Sequence, residues 1–284
     1  MKKISIQGYP GAFHDVAARH FIQDESIDLL AMDTFDEVVE SVRDNQIADA
    51  ALMAIENTTF GSIIPNYKLL YRKDVKIVGE VSLRIRQNLM CLNKSRLEDL
   101  EEVYSHPIAL MQCKEFFSNY PKIKLIDSVD TALAAKMVKE QQLKNVGAIA
   151  SSRAAEIYNL NIIAESIETN KKNYTRFLVL TDHDDKHFEA DQFKTAPEKV
   201  SLAFTAAHEI GSLYKVLQIL AENGANLTKI QSVPLLETEY EYMFFIDFIM
   251  SQDKTLLEYL QHIHAYIGEV KVLGIYKKGI HHDH

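Results

Sequence analysis

The stretch "ISIQGYPGAFHDVAARHF", residues 4–21, places a short apolar strand, a loop with two glycines and a helix in direct succession. The predicted strand covers Ile4 to Gln7, and Gly8 and Gly11 lie in the loop before the helix. Backbone N–H groups at such a helix N-terminus suit an anionic ligand, although a plain tight turn explains the glycines equally well. The third glycine of a dinucleotide-binding fingerprint and the Gly-Lys-Ser/Thr ending of a P-loop are both missing.

The same alternation of strand and helix continues over the first 180 residues. Short apolar runs predict six strands: Ile4 to Gln7, Ala50 to Ile55, Lys76 to Val78, Val103 to Ser105, Val146 to Ala150 and Phe177 to Leu180. Helical periodicity predicts helices between them, such as Phe35 to Arg43, Ala109 to Asn119, Thr131 to Glu140 and Arg153 to Tyr158. This order is typical of an α/β domain with a largely parallel sheet, whose ligands bind beyond the carboxyl ends of the strands.

The composition is that of a globular protein with room for two domains. The chain has 284 residues, of which 47% are hydrophobic and 25% charged. Its formal net charge of −9 argues against a basic face for nucleic acid. The most apolar segment, Tyr242 to Met250, is too short to span a bilayer, and the interrupted apolar run after Met1 argues against an export signal. Cys91 and Cys113 lack metal-ligand spacing and fit free thiols, so a cytoplasmic protein is predicted.

The sequence changes character after the first 180 residues. Residues 183–198 are polar and aperiodic, and we interpret them as a linker. The segment after it predicts strand, helix, strand, strand, helix and strand at Lys199 to Thr205, Ser212 to Glu222, Asn226 to Val233, Tyr240 to Ile249, Leu256 to Ile267 and Val270 to Tyr276. This βαββαβ order is that of a ferredoxin-like α+β unit, and its lack of acid/base pairs favours a binding or regulatory role. The histidines of the final "GIHHDH" lie at a chain end, which argues against a metal site.

A polar cluster in "AIENTTFGS", residues 54–62, is one candidate for a ligand site. Glu56, Asn57 and Thr58 follow a buried strand and offer a carboxylate, an amide and a hydroxyl to a small polar ligand. The same residues fit the start of a helix equally well, with Thr58 or Ser62 as its cap and Glu56 in solvent.

A second polar cluster begins "NYTRFLVL", residues 173–180, where Asn173, Thr175 and Arg176 precede an apolar strand. The guanidinium of Arg176 suits a two-pronged contact with a carboxylate, and Thr175 can donate a hydrogen bond to a leaving hydroxyl. The alternative is an arginine paired with a surface acid and a threonine that merely begins a strand. Residue chemistry alone leaves this choice open.

Together these motifs resemble the prephenate dehydratase family along nearly the whole chain. The matching segments are Gly8, Gly11 and Phe13 in the first loop, "IENTTFGSI" (55–63), "YSHPIALMQC" (104–113), "DTALAAK" (130–136), "NYTRFLVL" (173–180) and "GSLYKVLQILAENGANLTKI" (211–230). The last segment is similar to the ACT regulatory domain, which in this family binds phenylalanine. The order and spacing of all six argue against chance similarity.

The resemblance implies a lyase that converts prephenate to phenylpyruvate, carbon dioxide and water in phenylalanine biosynthesis, with neither cofactor nor metal. It implies an α/β catalytic domain over residues 1–182, with the two-lobed fold of periplasmic binding proteins. Lobe one is expected near 1–80 and 160–182 and lobe two near 81–159, followed by a ferredoxin-like ACT domain over 199–279. L-Phenylalanine is the expected effector, and the pairing of ACT domains in the family implies a homodimer or homotetramer.

The resemblance also assigns roles to the site residues. Thr175 matches the family's essential threonine and is expected to donate a hydrogen bond to the departing hydroxyl. Asn57 and Thr58 are expected to orient the ring substituents, and with Thr175 they form the predicted catalytic set. Arg176, helped by backbone N–H groups near Gly11, is expected to bind a substrate carboxylate.

Further residues follow from the same resemblance. Three are expected to support the site or line the cleft: Glu56, Asn173 and Phe177. The expected phenylalanine site comprises Gly211, Ser212, Leu213, Asn226, Leu227 and Thr228. Other positions depart from the family pattern, with Thr58 for serine, Gln87 for histidine, Ile108 for glutamine and His14 for a serine or tyrosine-serine element. Gln231 and Val233 replace the glutamate and arginine of the regulatory motif, which is expected to weaken or retune inhibition by phenylalanine.

Two alternatives stay open beside this expectation. Arogenate dehydratase acts on a substrate with an amino group in place of the keto group, and the sequence does not separate the two activities. A non-catalytic amino-acid-sensing binding protein with the same two-lobed fold is a different class of function. The Asn-x-Thr-Arg-Phe motif at 173–177 favours the enzyme.

Overall fold

The computed structural model describes residues 1–23, 26–43, 47–92, 95–185, 188, 198–206, 209–235, 242–279 and 281–282. Within these ranges the chain forms two sheets, one of eleven strands and one of five. Most of the linker predicted at 183–198 falls outside the described residues. No helix in these ranges is both long and apolar enough to cross a membrane.

The first lobe is a sheet with helices on both faces. Its strands are β1 (Lys3–Gln7), β2 (Asp28–Met32), β3 (Ala50–Asn57), β4 (Gly61–Ser62), β5 (Val75–Arg84) and β11 (Tyr174–Asp182). Its helices are α1 (Phe13–Ile22), α2 (Phe35–Arg43) and α3 (Ile64–Arg72). β1 lies in parallel between β2 and β3, and β11 runs antiparallel between β3 and β5. The sheet is therefore mixed, which corrects the expectation of a largely parallel one.

The second lobe is a smaller sheet in the order β10-β6-β9-β7-β8. Its strands are β6 (Asn88–Cys91), β7 (Glu102–Ser105), β8 (Lys124–Asp127), β9 (Val146–Ala150) and β10 (Asn161–Ala164). Its helices are α4 (Pro107–Gln112), α5 (Lys114–Phe117), α6 (Thr131–Glu140) and α7 (Ser152–Tyr158), with a 3-10 turn at Leu97–Asp99. The helix predicted from Ala109 to Asn119 is divided into α4 and α5 at Cys113, whose φ of −100° and ψ of 6° interrupt the helix.

The chain crosses between the lobes twice, after β5 and before β11. β5 ends at Arg84 and extends past the expected boundary at residue 80. β10 lies in the second sheet, so the second crossing falls between Ala164 and Tyr174 and corrects the expected boundary at 160. The two crossings bond to each other, because the Ile85 N–H donates to the Asn173 carbonyl with an N···O distance of 2.8 Å.

The two faces of the first sheet carry different helices, because side chains alternate along each strand. Leu52 and Phe177 pack on the face covered by α1. Met53 and Leu178 pack on the opposite face, with α2 and α3. Consecutive residues of β11 therefore point to opposite sides of the sheet.

The C-terminal unit has the predicted βαββαβ order. Its elements are β12 (Lys199–Ala206), α8 (Ser212–Glu222), β13 (Asn226–Pro234), β14 (Tyr242–Ile249), α9 (Leu256–Ile263), a 3-10 turn (His264–Tyr266) and β15 (Ile267–Tyr276). Its four strands follow the antiparallel order β13-β14-β12-β15. The second helix ends at Ile263, four residues before its predicted end at Ile267. A last strand, β16 (His281–His282), pairs with β5.

The C-terminal unit packs directly against the first lobe. β15 continues the first sheet, because Gly274 pairs with Ile77 of β5. Only glycine fits there, since a Cβ on Gly274 would lie 2.2 Å from the Ile77 carbonyl oxygen. The helix-free face of the C-terminal sheet covers α3, where the rings of Tyr67 and Phe245 are 5.1 Å apart. The ammonium of Lys271 caps α3 by donating to the carbonyl oxygens of Leu70 and Tyr71 in its last turn and of Lys73 directly after it.

Candidate functional site

The polar residues of both candidate motifs meet where β3 ends and β11 begins. Thr175 pairs with Asn57 and Arg176 with Glu56, but Phe177 pairs with Ala54. The register shift leaves one extra residue in β3, a bulge of the kind that re-aims side chains at sheet edges. As a result Asn57 and Thr175 share one face of the sheet.

A hydrogen-bond cluster connects the side chains on this face. The Nδ2 group of Asn57 donates to Thr175 Oγ1 and to Asn173 Oδ1, each over 2.9 Å. Its Oδ1 accepts from the backbone N–H groups of Thr59 at 2.9 Å and Phe60 at 3.1 Å. These two backbone donors fix the orientation of the amide, because a rotated Asn57 would present N–H groups to N–H groups. Thr175 Oγ1 therefore accepts a hydrogen bond from Asn57, and its own O–H group remains available to donate to another acceptor.

Asn173 adds a second polar group that points to a ligand. Its side chain is 1% exposed, and its Oδ1 accepts from Asn57 and, over 3.1 Å, from the hydroxyl of Thr59. Its buried Nδ2 has no hydrogen-bond partner among the described residues. A buried amide donor without a partner costs stability unless a bound molecule accepts from it.

Thr58 lies beside the cluster but does not join it. Its Oγ1 accepts from the Tyr174 N–H over 2.9 Å and donates to the Lys172 carbonyl over 3.2 Å. Both capacities of the hydroxyl are thus used to fix the chain that enters β11, which corrects the catalytic role expected for Thr58. Thr59, which was not among the predicted site residues, supplies a second hydroxyl to the cluster beside that of Thr175. The doubled threonine after Asn57 was the available signal, because both hydroxyls lie in the turn after β3 and reach the chain that enters β11.

Arg176 also lies outside the cluster, on the opposite face of the sheet. Its guanidinium donates to Glu80 at 2.7 Å, to Asp247 at 2.5 Å and to the Tyr276 hydroxyl at 3.0 Å. Burial alone would lower the pKa of Arg176, but the two acids raise it well above its usual value, so the side chain stays charged. Glu56 lies on the same side and pairs with Lys229 over 3.1 Å. The expectation that Arg176 binds a substrate carboxylate is corrected, since its donors are directed at these partners.

The first glycine loop forms a contact between the lobes. The Gly11 N–H donates to Asp15 at 2.7 Å, and the Gly11 carbonyl accepts from the Ser151 hydroxyl at 2.5 Å. With φ at +90°, a Cβ on Gly11 would lie 2.7 Å from the Cα of Ala154 in α7. The glycine permits this close approach, and its N–H is not free for an anion. The expected carboxylate contact at Gly11 is corrected accordingly.

Phe177 belongs to the core behind the site. It is 1% exposed and packs edge-on against His14, with ring centroids 4.9 Å apart. Burial lowers the pKa of His14 to about 4, so the imidazole is neutral at pH 7, and its buried Nε2 has no partner in the described chain. Phe177 thus supports the strand that carries Thr175 rather than forming a wall of the cleft.

A groove of about 640 Å³ leads from this cluster into the space between the lobes. Its walls combine residues of the cluster, apolar side chains and the start of α5: Thr59, Phe60, Met111, Lys114, Glu115 and Asn173. Thr59 and Asn173 of the cluster therefore border a space that is open to a small molecule, and Lys114, Glu115 and Glu168 line the same groove.

The residues expected to bind phenylalanine do not meet within one chain. Gly211, with φ at +82°, precedes α8, whereas Asn226 begins β13 beyond the other end of that helix. An eleven-residue helix is about 16 Å long, which separates the two segments. Val233 is 4% exposed and packs in the core that the C-terminal unit shares with the first lobe.

Known proteins resemble this chain over most of its length. The family model described as prephenate dehydratase matches residues 4–185. Arogenate dehydratase 2 of Petunia hybrida is 37% identical over 96% of this chain and 71% of its own length. A solved structure described as GqqA, a novel type of quorum quenching acylase, has a TM-score of 0.85 at 28% identity, with 98% of both chains covered. The prephenate dehydratase of Arthrobacter aurescens, solved in complex with L-Phe, shares the fold at 22% identity, with a TM-score of 0.84 over 97% of this chain and 89% of that one.

Proposed function

Because the chain belongs to the prephenate dehydratase family, we propose that it removes carbon dioxide and water from prephenate to give phenylpyruvate. The bond from the ring to its carboxylate breaks, and its electron pair enters the ring as the C–O bond of the ring hydroxyl breaks. The departing hydroxide takes up a proton from solvent and leaves as water. Aromatisation supplies the driving force, so the protein needs mainly to hold the substrate and stabilise the leaving oxygen.

Thr175 is the proposed donor to that leaving oxygen. The observation that carries this role is the bond from Asn57 Nδ2 to Thr175 Oγ1, which leaves the threonine proton free to donate. A donor aimed at a developing negative charge stabilises the transition state more than the ground state. Asn57 is then a positioning residue, since its amide is fully used within the cluster.

Asn173 is the proposed second contact with the substrate. Its unpartnered Nδ2 is buried in the cluster and suits a carboxylate or carbonyl oxygen. Lys114 of α5 lines the same groove and offers a charge for one of the two substrate carboxylates, which Arg176 does not supply. The apolar groove wall at Phe60 and Met111 suits the ring.

Two other enzyme activities, arogenate dehydratase and acylase, are alternatives to this proposal. Arogenate carries an ammonium where prephenate carries a keto group, and Glu115 and Glu168 are the acids of the groove to receive it. The acylase described for the GqqA structure would need an activated nucleophile. Thr175 Oγ1 contacts an amide rather than a base among the described residues, which favours the dehydratase.

The test is to incubate the purified protein with prephenate and follow phenylpyruvate, with arogenate in a parallel reaction. Thr175→Val keeps the shape of the side chain but removes the hydroxyl, whereas Thr175→Ser keeps the hydroxyl. We expect the valine variant to lose about 10²–10³ in kcat and the serine variant to lose far less. Wild-type turnover that survives in Thr175→Val would remove Thr175 from the mechanism. Binding without turnover of either substrate would favour the non-catalytic binding protein.

For the C-terminal unit we propose the ACT-type role of binding phenylalanine. The βαββαβ topology supports this role, and the Arthrobacter aurescens protein of the same fold was solved with L-Phe. Because Gly211 and Asn226 lie at opposite ends of α8, a site that uses both segments requires a second chain, as in a homodimer or homotetramer. Calorimetric titration with phenylalanine and a mass measurement in solution test whether binding requires a second chain. A monomer that binds phenylalanine as tightly as the oligomer does would contradict the proposal.

A further inference from the structure

A buried cluster of four charges lies behind Thr175, on the opposite face of the sheet. It consists of Glu80 on β5, Arg176 on β11, Lys199 on β12 and Asp247 on β14, and we call it the charge cluster. Arg176 bonds to Glu80 at 2.7 Å and to Asp247 at 2.5 Å, and Lys199 bonds to both carboxylate oxygens of Glu80 at 2.8 Å. Two cations balance two anions, and the side chains are only 7% to 15% exposed.

The charge cluster joins the first lobe to the C-terminal unit. Glu80 and Arg176 come from the first lobe, whereas Lys199 and Asp247 come from the C-terminal unit. Every ion pair with Lys199 or Asp247 therefore crosses the boundary between them. Burial raises the pKa of Glu80, but the neighbouring cations outweigh it and keep the pKa below its usual value, so the carboxylate is charged.

A ring of hydrogen bonds fixes the orientation of Arg176. The guanidinium donates to the Tyr276 hydroxyl at 3.0 Å, and that hydroxyl lies 2.7 Å from Ser201 Oγ. Ser201 donates to Asp247 Oδ1 at 2.5 Å, and the other oxygen of Asp247 accepts from Arg176. Because Ser201 uses its proton on Asp247, Tyr276 must donate to Ser201. The ring closes on Arg176, and the hydroxyls of Tyr276 and Ser201 both donate within it.

A second contact reaches the other strand of the site. Lys229 on β13 pairs with Glu56 at 3.1 Å and donates to Ser62 at 2.7 Å. Glu56 precedes Asn57, just as Arg176 follows Thr175. The C-terminal unit thus contacts both site strands, one residue away from the bonded pair Asn57 and Thr175.

We propose that Arg176 is a positioning residue, which sets the place of the Thr175 hydroxyl by anchoring β11 to the C-terminal unit. The role rests on the proposed function of Thr175. Adjacent residues of a strand share one rigid backbone segment, so a shift of the guanidinium moves the hydroxyl on the other face. A displacement of about 1 Å at a reacting group can cost roughly 10²-fold in rate. The reaction rate therefore depends on how the C-terminal unit packs against the first lobe.

The experiment compares variants on both sides of the boundary. Arg176→Lys keeps the charge but replaces the planar, forked guanidinium that reaches Glu80, Asp247 and Tyr276 in fixed directions with a compact ammonium. Tyr276→Phe removes one bond of the ring without changing any charge. We expect kcat to fall about 30- to 100-fold in Arg176→Lys and about tenfold in Tyr276→Phe, with KM within about twofold of wild type. Since both act through one linkage, the double variant should lose no more than Arg176→Lys alone.

Lys271→Met is the matched control. Lys271 also joins the C-terminal unit to the first lobe, but it contacts α3 and no site strand. We expect its kcat to stay at the wild-type level. A loss equal to that of Arg176→Lys would show general loosening and overturn the proposal. A raised KM with unchanged kcat in Arg176→Lys would show direct substrate contact and overturn it as well.

Hydrogen exchange separates this proposal from the proposed function. Backbone amides in residues 54–60 and 173–180 should exchange faster in Arg176→Lys and Tyr276→Phe than in wild type or Lys271→Met. Unchanged exchange in both variants would contradict the positioning role, even if kcat falls. If these variants exchange faster but the wild-type protein shows no dehydratase turnover, the link between Arg176 and the site strands stands and the proposed function is wrong.

Discussion

Replacing Asn57 with aspartate is expected to reverse the hydrogen bond that directs the Thr175 hydroxyl. The wild-type amide donates to Thr175 and to Asn173, each over 2.9 Å, while its oxygen accepts from two backbone N–H groups. Aspartate keeps the two acceptor contacts but has no donor. Thr175 then donates its hydrogen bond to the new carboxylate, and its hydroxyl can no longer donate to the substrate.

The structure indicates that this variant still folds. Asn173 has an unpartnered Nδ2, so its amide can rotate and donate to the new carboxylate. Thr59 can then accept from, rather than donate to, Asn173. The stability cost is expected to be about 1 kcal/mol, in the range of one exchanged hydrogen bond. Loss of one donor to a developing oxyanion costs roughly 2.7–4 kcal/mol of transition-state stabilisation, or about 10²–10³ in kcat.

The assay is phenylpyruvate formation at saturating prephenate, together with urea unfolding of the same preparations. Asn161→Asp, at the exposed start of the edge strand β10, adds the same charge away from the cluster and should leave kcat unchanged. Turnover of Asn57→Asp within about threefold of wild type would refute the reasoning, because Thr175 would then act without its proton. A variant that fails to fold would refute the proposed rearrangement of Asn173.

Two further predictions concern stability. Burial lowers the pKa of His14 from 6.5 to about 4, so between these pH values the unfolded chain binds a proton at His14 and the folded chain does not. The free energy of unfolding should therefore fall by about 3 kcal/mol as the pH drops from 6.5 to 4, and His14→Phe should lack that loss in urea titrations across this range. Lys271→Met leaves the carbonyls of Leu70, Tyr71 and Lys73 without their ammonium donor, so urea unfolding should show a loss of about 1–3 kcal/mol. An unchanged unfolding free energy would mean that water replaces Lys271.

Three of the strands that the sequence analysis missed share a physical reason, whereas β6, also missed, is fully buried but only four residues long. β2, β8 and β10 lie at sheet edges, and most of their residues are only partly buried. An edge strand in contact with the core along part of its length needs no strict alternation of apolar residues, so its pattern is weak. β3, β9 and α8 have nearly their predicted bounds, because each carries a clear apolar pattern. β5 and β11 extend well beyond the predicted Lys76 to Val78 and Phe177 to Leu180.

The sequence indicated which polar residues meet at the ends of β3 and β11, but not where the side chain of Arg176 lies. Thr175, Asn57 and Asn173 come together as the motifs indicate, because β3 and β11 pair at the expected strand ends. The alternation of a strand already separates Thr175 from Arg176 and could have placed them on different faces. The partners of Arg176 on its own face, Asp247 and Tyr276, follow 71 and 100 residues later. Their arrival depends on packing of the C-terminal unit, which no local pattern shows.

The charge cluster is better explained as a device that fixes the register of β11 against β3 and β5 than as a source of free energy of unfolding. Removing four charges from water is costly, and a well-packed apolar set of the same volume often gives equal or greater stability. An apolar set, however, would tolerate a slip of β11 by one residue against β3 and β5. Such a slip exchanges the two faces of the strand, so it would place the Arg176 guanidinium in the apolar core beside α1 and turn the Thr175 hydroxyl away from Asn57. Breaking a buried ion pair costs roughly 3–5 kcal/mol, which excludes the slipped state. We infer that Arg176 is charged and buried because its position defines where Thr175 must be.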